Sequence, residues 1–174
     1  MGFRFGLGFE IGFGMDDIEF MSQALFEAER AMTRGDVPVG AVLVRAGEIL
    51  ARGSNVKTND PTAHAEIQVI RLGAERLGTW NLRGCDLYVT LEPCPMCAGA
   101  GVNARLRGIV FGARDFRAGA AGTLYDIPRD TRLNHRCKVR GGVLEDRCLE
   151  LLREYFRRRR KPGAPISGEA ECKP

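Results

Sequence analysis

The chain has 174 residues, a length that fits one domain with a hydrophobic core able to fold without disulfide bonds. Apolar residues make up 44% and charged residues 28%, as in ordinary globular proteins, and no apolar run is long enough to cross a bilayer. The net charge of +4, from 26 basic and 22 acidic residues, favours an anionic partner but does not identify one.

The two ends of the chain differ in composition from the rest. Residues 1–14 contain five glycines and no helical periodicity, which predicts a disordered extension before a domain that begins near Met15. Because apolar residues alternate in this segment, an exposed edge strand is the alternative. Residues 162–174 open with Pro-Gly-Ala-Pro and predict a flexible tail, so the domain is expected to span residues 15–161.

Periodicity within the domain predicts alternating helices and strands. Apolar residues spaced three and four apart predict four helices, over residues 16–35, 64–77, 95–103 and from Val143 onward. Short aliphatic runs predict five strands, over residues 38–44, 48–52, 85–90, 108–111 and 138–140. The first two strands are expected to form a hairpin, and the whole pattern predicts an α/β sheet covered by helices on both faces.

Two short motifs carry residues with metal chemistry. His64 and Glu66 are two residues apart, and Cys94 and Cys97 lie in a Pro-Cys-Pro-Met-Cys segment further along the chain. His64 and the cysteines supply three ligands, which leaves the fourth zinc position for water, as in a catalytic rather than a structural zinc site. The spacing matches the H-x-E…P-C-x-x-C signature of zinc nucleobase deaminases and predicts hydrolytic deamination.

Each of these residues also has an alternative interpretation. Cys94 and Cys97 would fit a redox dithiol, but the Trp-Cys-Gly-Pro-Cys context of thioredoxins is absent from the sequence around them. They would fit half of a zinc ribbon, but the other four cysteines form no second C-x-x-C pair. His64 alone would fit a core histidine, and Glu66 alone a solvated helix face. The combination favours a catalytic zinc, and thiolate ligands with unpaired cysteines favour a reducing cytoplasm.

The metal ligands are expected at the N-termini of two helices. The partial positive charge of a helix N-terminus lowers the pKa of a cysteine and favours the thiolate that binds metal. A zinc ion lowers the pKa of its bound water to about 7. Glu66, which is not needed as a fourth ligand, is placed to take the proton of that water.

Several stretches of the chain resemble the bacterial tRNA-specific adenosine deaminases, which convert the wobble adenosine of an anticodon to inosine. The resemblance covers residues 37–159 and is carried by VPVGAVLV from Val37, DPTAHAEI from Asp60, LYVTLEPCPMCAGA from Leu87, VFGARD from Val110, GAAG from Gly119 and NHR from Asn134. The zinc motif is shared with cytidine, deoxycytidylate and guanine deaminases, whereas the FGARD and GAAG stretches narrow the choice to the tRNA enzymes.

The resemblance implies a fold, a reaction and a set of partners. The fold is the cytidine deaminase-like three-layer α/β/α sandwich with a mixed sheet of about five strands. The reaction is the deamination of a tRNA anticodon stem-loop by a cytoplasmic homodimer with one Zn²⁺ per subunit, without a membrane or a nucleotide cofactor. His64, Cys94 and Cys97 would bind the zinc, and Glu66 would move the proton.

Three further residues are assigned to the substrate by the resemblance. Asn55 resembles the asparagine that hydrogen-bonds the flipped adenine, Ala65 is assigned to the same site, and Asp115 resembles the acid that contacts the adjacent RNA sugar. A turn asparagine and a capping aspartate are the alternatives for Asn55 and Asp115. Tyr155, on the last helix, stands where a phenylalanine is common in the family.

The last predicted helix carries an apolar stripe from Leu144 to Phe156 and ends in consecutive cations. Phosphate contacts with tRNA are predicted for these cations, and a solvated helix end that suits the C-terminal dipole is the alternative. The cations are Arg157, Arg158, Arg159, Arg160 and Lys161.

Two rival functions are consistent with parts of the sequence. A free guanine, cytidine or deoxycytidylate deaminase would share the zinc motif, but the basic helix argues against it. A non-catalytic, zinc-stabilised RNA-binding module would explain the cations and the ligands, but it has no need of Glu66 beside an open metal position.

Overall fold

A computed structural model describes residues 15–56 and 60–159 of the chain. The predictions made for residues 1–14 and 162–174 lie outside the described residues, as do the phosphate contacts predicted for Arg160 and Lys161.

The described residues form four α-helices and five β-strands close to the predicted positions. The helices are α1 (Met15–Thr33), α2 (Ala65–Leu77), α3 (Pro95–Asn103) and α4 (Glu145–Arg159). The strands are β1 (Gly40–Arg45), β2 (Glu48–Ser54), β3 (Cys85–Leu91), β4 (Gly108–Ala113) and β5 (Lys138–Gly141). A short 3₁₀ helix, Ile127–Arg129, precedes β5. Among the described helices, none is both long and apolar enough to cross a bilayer.

The five strands form one mixed sheet in the order β2-β1-β3-β4-β5. β1 pairs antiparallel with both β2 and β3, whereas β3, β4 and β5 run parallel. The β1–β2 hairpin turns at Ala46 and Gly47, whose φ angles of 51° and 83° lie in the left-handed region that matches the twist of the strands. The predicted mixed, five-stranded sheet is therefore confirmed.

Alternate residues of each strand pack on opposite faces of the sheet. In β1, Ala41 and Leu43 belong to the core beneath α2 and α3, whereas Val42 and Val44 belong to the core beneath α1 and α4. In β3, Tyr88 lies on the same face as Val42. Because both faces of the sheet are covered, the domain has three layers, and the predicted α/β/α sandwich is confirmed.

Asp17, in the first turn of α1, is a buried acid. Its carboxylate accepts hydrogen bonds from the Tyr88 hydroxyl at 2.9 Å and from Arg140 Nη2 at 2.5 Å. Burial, and then the hydrogen bond to Asp17, raises the pKa of Tyr88. The hydroxyl therefore stays protonated and donates a hydrogen bond to Asp17. These contacts join α1 to β3 and β5.

The last helix begins later than the sequence pattern indicated. α4 begins at Glu145 rather than at the predicted Val143, because the φ angle of 52° at Leu144 places a left-handed turn before the helix. The predicted apolar stripe is only partly buried: Cys148 is in the core, whereas Phe156 is 46% exposed.

Tyr155 connects the ends of two helices. Its ring is buried, and its hydroxyl donates a hydrogen bond to the carbonyl of Gly35, just beyond α1, at 3.0 Å. This contact requires a hydroxyl and gives a physical reason for a tyrosine at this position.

The sheet brings the N-termini of α2 and α3 to the same end of its strands. Gly40, the first residue of β1, pairs with Ser54 at the end of β2, and Ala41 pairs with Val89 near the end of β3. The segments after β2 and β3 therefore leave the sheet side by side, and they lead into α2 and α3.

Candidate active site

His64 and Cys94 occupy equivalent positions at the starts of two helices. Each is the residue immediately before its helix, with extended backbone angles of φ −74°, ψ 152° for His64 and φ −71°, ψ 171° for Cys94. Neither side chain hydrogen-bonds to its own helix end, so each is directed to other partners. Cys97 lies in the first turn of α3 and is buried.

The three predicted metal ligands lie together. His64 Nδ1 is 3.7 Å from Cys94 Sγ and 3.5 Å from Cys97 Sγ, and the three ligand atoms all lie within 4.8 Å of one another. Nitrogen and sulfur atoms bound tetrahedrally to one zinc at ~2.0 and ~2.3 Å are about 3.5 Å apart. The three side chains therefore fit one metal ion, and an imidazole with two thiolates is a donor set that suits Zn²⁺.

The two thiols of this cluster differ in their affinity for a proton. A hydrogen bond with the Cys97 thiol, assisted by one with His64, lowers the pKa of Cys94 to about 4. The same hydrogen bond with Cys94, together with burial and the nearby Glu66 carboxyl, raises the pKa of Cys97. One sulfur is therefore a thiolate at neutral pH, and a bound cation favours loss of the remaining proton.

Glu66 lies beside these ligands in the first turn of α2. It is 3% exposed, and among the described residues its Oε2 is a buried side-chain oxygen without a hydrogen-bond partner. Burial raises the pKa of this carboxyl. Because an unpaired buried polar atom costs about 1–3 kcal/mol, this oxygen is well placed to accept a hydrogen bond from a water or a substrate.

Asn55, just after β2, supports the start of α2. It is buried, and its side-chain Oδ1 accepts a hydrogen bond from the N–H of Ala65 at 2.9 Å. Ala65 itself is fully buried. The hydrogen bond holds Asn55 against the helical turn that carries His64 and Glu66, so the two residues predicted to contact adenine lie next to the metal ligands.

The chain is similar in sequence to known deaminases. The sequence model of the MafB19-like deaminase family matches residues 15–160. The tRNA-specific adenosine deaminase of Bacillus subtilis (strain 168) is 49% identical over 144 residues, which cover 82% of this chain and 89% of the relative. The chain belongs to the tRNA-specific adenosine deaminase family.

Solved structures of deaminases share the fold of this family member. One, from a study of A-to-I editing by tRNA:A34 deaminases at the wobble position of transfer RNA, has a TM-score of 0.74 and 46% identity, and the match covers 77% of this chain and 99% of that one. Guanine deaminase from Bacillus subtilis has 40% identity and a TM-score of 0.54, over 60% of this chain and 69% of its own. The similarity to the tRNA:A34 deaminase structure thus extends over more of the deaminase domain.

Asp115 lies at the start of the loop that follows β4. Its Oδ1 accepts hydrogen bonds from the N–H groups of Arg117 at 2.8 Å and Ala118 at 3.2 Å. These are the contacts expected of a capping aspartate, so the carboxylate shapes the loop of this deaminase. Asp115 also lines a groove between the loop and α4, which keeps it within reach of a bound ligand.

The three described members of the predicted cation cluster have different surroundings. Arg157 lines the groove beside Asp115. Arg158 forms an ion pair with a glutamate on its own helix, and Arg159 lies over the ring of Tyr155, 5.5 Å from its centroid. Successive residues of an α-helix point about 100° apart, so neighbouring cations do not share one face.

Glu92 is a buried acid that no motif had singled out. It follows β3 directly and lies two residues before Cys94, and its carboxylate accepts hydrogen bonds from the loop after β4. The signal available in the sequence was an acid placed directly after an aliphatic strand and directly before Pro-Cys. Such a position is expected to be buried when helices cover both faces of the sheet.

Proposed function

We propose that this chain hydrolyses the 6-amino group of adenosine at the wobble position of a tRNA anticodon, giving inosine and ammonia. The observation that carries the proposal is the unpaired Glu66 Oε2, buried beside three metal ligands. A carboxyl that is shielded from solvent and keeps one oxygen without a partner among the described residues suits proton transfer within a bound substrate complex. The 49% identity to a tRNA-specific adenosine deaminase supports the choice of substrate.

One Zn²⁺ per subunit would be held by His64, Cys94 and Cys97. These residues form a cluster of the right size and donor type, and three ligands leave one coordination position for water. Bound zinc supplies a water whose pKa lies near 7. The hydrogen bond from Ala65 to Asn55 supports this site, because it holds the helical turn from which His64 projects.

Glu66 moves the protons of the reaction. Its carboxyl takes a proton from the attacking water as the water oxygen bonds to C6 of adenine, and it delivers this proton to N1. It then passes the second proton of the water to the amino group, the C6–N bond breaks, and ammonia leaves. Burial raises the pKa of Glu66, and this favours a carboxyl that holds the proton between the two transfers.

Asn55 and Ala65 would contact the adenine, and Asp115 the neighbouring RNA sugar. Adenine must leave its stack to reach Glu66, and the free energy needed for this step is small in a single-stranded anticodon loop. Ala65 supports the assignment because it directly follows His64 at the start of α2, and Asn55 supports it because its side chain is hydrogen-bonded to the N–H of Ala65. Asp115 supports it by lining a groove that opens onto the surface.

The groove beside Asp115 has the lining that single-stranded RNA requires. Its volume is about 860 Å³, and it lies between the loop after β4 and α4. Arginines bind phosphates, and exposed aromatic rings stack on bases. Four arginines and two phenylalanines, the latter 77% and 46% exposed, line it: Arg114, Arg117, Arg153, Arg157, Phe116 and Phe156.

The substrate is tested by giving the purified, zinc-loaded protein three alternatives in parallel: tRNA with a wobble adenosine, free guanine and free cytidine. Sequencing of the tRNA reports inosine as a change from A to G, and ammonia release reports the free bases and nucleosides. We expect a change at the wobble adenosine and no ammonia from guanine or cytidine. If guanine releases ammonia and the tRNA gains no inosine, the chain is a guanine deaminase. If the protein binds RNA but forms neither product, it is a non-catalytic RNA-binding module.

The proposed enzyme is a cytoplasmic homodimer. Two exposed apolar side chains, Met96 on α3 and Leu133 beside the end of α3, support a surface that a second copy covers. Sedimentation equilibrium at micromolar concentration should give about twice the chain mass of 19.1 kDa. A single-chain mass over the whole concentration range would contradict the dimer.

A further inference from the structure

Glu92 is a buried acid on which four hydrogen bonds from one loop converge. Glu92 is 2% exposed and directly follows β3. Oε1 accepts from the N–H groups of Ala121 and Thr123, both at 3.0 Å. Oε2 accepts from the N–H of Asp115 at 3.2 Å and from the hydroxyl of Thr123. A carboxylate suits this position because it offers two acceptor oxygens and no donor.

The loop is folded closely around this carboxylate. A Cβ atom at Gly119 would lie 2.6 Å from the Glu92 carboxyl and 2.4 Å from the carbonyl oxygen of Asp115, so only glycine fits at this point of the loop. The N–H of Ala120 also donates to the carbonyl of Pro93 at 2.8 Å. The path of the loop is therefore determined by the strand end that carries Glu92 and Pro93.

Glu92 connects the metal-binding segment with the groove. On one side it is two residues away from Cys94, on the same connection between β3 and α3. On the other side it holds the N–H of Asp115, whose side chain lines the groove. Glu92 thus connects the wall of the groove directly to the segment that carries the metal ligands.

We propose that Glu92 is a positioning residue that fixes residues 115–123 against the metal-binding segment and thereby sets the affinity for the RNA substrate. The proposal rests on the tRNA deamination proposed above. Glu92 acts through the main chain of the loop and through Asp115, and it takes no part in the proton transfers made by Glu66.

The substitution that isolates this role is Glu92→Gln. It keeps the size and shape of the side chain but replaces one acceptor oxygen with an NH₂ group, which then faces an N–H of the loop. We expect the KM for tRNA to rise about tenfold or more, as for the loss of a buried hydrogen bond, with kcat changed by less than about threefold. Zinc should stay at one ion per chain. Amide hydrogen exchange should accelerate in residues 115–123 and not in α2 or α3.

Two independent variants and one control accompany it. Gly119→Ala keeps Glu92 but pushes the loop away from it, so it should also raise KM with zinc retained. Thr123→Val removes one of the four hydrogen bonds and should have a smaller effect in the same direction. Glu48→Gln makes the same chemical change at an exposed residue of the β1–β2 hairpin and should leave KM unchanged.

Unchanged KM and unchanged amide exchange in Glu92→Gln would overturn the proposal. Loss of zinc, or a fall in kcat at constant KM, would also overturn it, because Glu92 would then act on the metal segment. If Glu92→Gln does not fold, the other two variants serve as the test, and normal KM values in both Gly119→Ala and Thr123→Val would overturn the proposal. If the unaltered protein makes no inosine, the proposed function fails, and the exchange measurement still decides whether Glu92 holds the loop.

Discussion

Replacement of Asp17 tests how α1 is anchored to the sheet. The buried carboxylate accepts hydrogen bonds from the Tyr88 hydroxyl and from Arg140. Tyr88 is 6% exposed, whereas the Arg140 side chain is 45% exposed. Asp17→Ala therefore leaves a buried hydroxyl without its acceptor, while the guanidinium remains solvated by water.

The expected loss of stability follows from these exposures. The unpaired buried hydroxyl costs about 1–3 kcal/mol, and the half-exposed ion pair contributes at most about 1 kcal/mol, so Asp17→Ala should lower the free energy of unfolding by about 1–4 kcal/mol. Tyr88→Phe removes the hydroxyl and leaves the ion pair, and it should cost about 1–2 kcal/mol. Arg140→Met should cost about 1 kcal/mol or less.

Urea unfolding of the zinc-loaded variants measures these differences, with Asp16→Ala, at the exposed neighbouring position, as the control. At about 3 °C per kcal/mol, the melting temperature of Asp17→Ala should fall by roughly 3–12 °C. The reasoning is refuted if Asp17→Ala unfolds like the unaltered chain, or if Arg140→Met is as destabilised as Asp17→Ala.

Three further results are expected. Cys94→Ser and Cys97→Ser should each lose the zinc ion and melt at a lower temperature, because metal binding and folding are coupled; metal analysis that finds full zinc in either variant contradicts the ligand set. Removal of residues 1–14 should leave turnover and melting temperature unchanged, and a fall of several degrees would instead indicate that this segment packs on the domain. Arg157→Ala should reduce the slope of log K against log salt for tRNA binding by about 0.7–0.9. Arg158→Ala, whose guanidinium is paired within its own helix, should not, and equal slopes for the two variants would argue against the groove as the phosphate site.

The parts of the fold that depend on local pattern could be predicted from the sequence. α3 begins at Pro95 as predicted, because a proline is favoured in the first turn of a helix. α2 ends at Leu77 as expected, because Gly78 adopts the left-handed conformation that closes a helix. The start of α4 was predicted two residues too early, since the left-handed turn at Leu144 has no sign in the apolar periodicity.

Contacts between distant parts of the chain could not be predicted in the same way. Asp17 is hydrogen-bonded by Arg140, 123 residues away, and Glu92 is hydrogen-bonded by a loop up to 31 residues away. Nothing near Asp17 in the sequence distinguishes it from an acid on a solvated surface. The position of Glu92 directly after an aliphatic strand is a signal of burial, but it does not identify the loop that Glu92 contacts. The metal ligands were predictable because their chemistry restricts both residue type and spacing, whereas a positioning carboxylate is recognisable only when the loop that it holds is in place.

The turnover of Glu66→Ala on tRNA with a wobble adenosine tests the central claim most directly, with Glu75→Ala, an exposed glutamate on the same helix, as the control. Single-turnover rates and zinc content are measured on the same samples. We expect Glu66→Ala to lose at least ~10²-fold in rate while keeping one zinc per chain and its melting temperature, and Glu75→Ala to react normally. Near-normal turnover by Glu66→Ala would contradict proton transfer by this residue, and loss of zinc would make Glu66 a ligand instead.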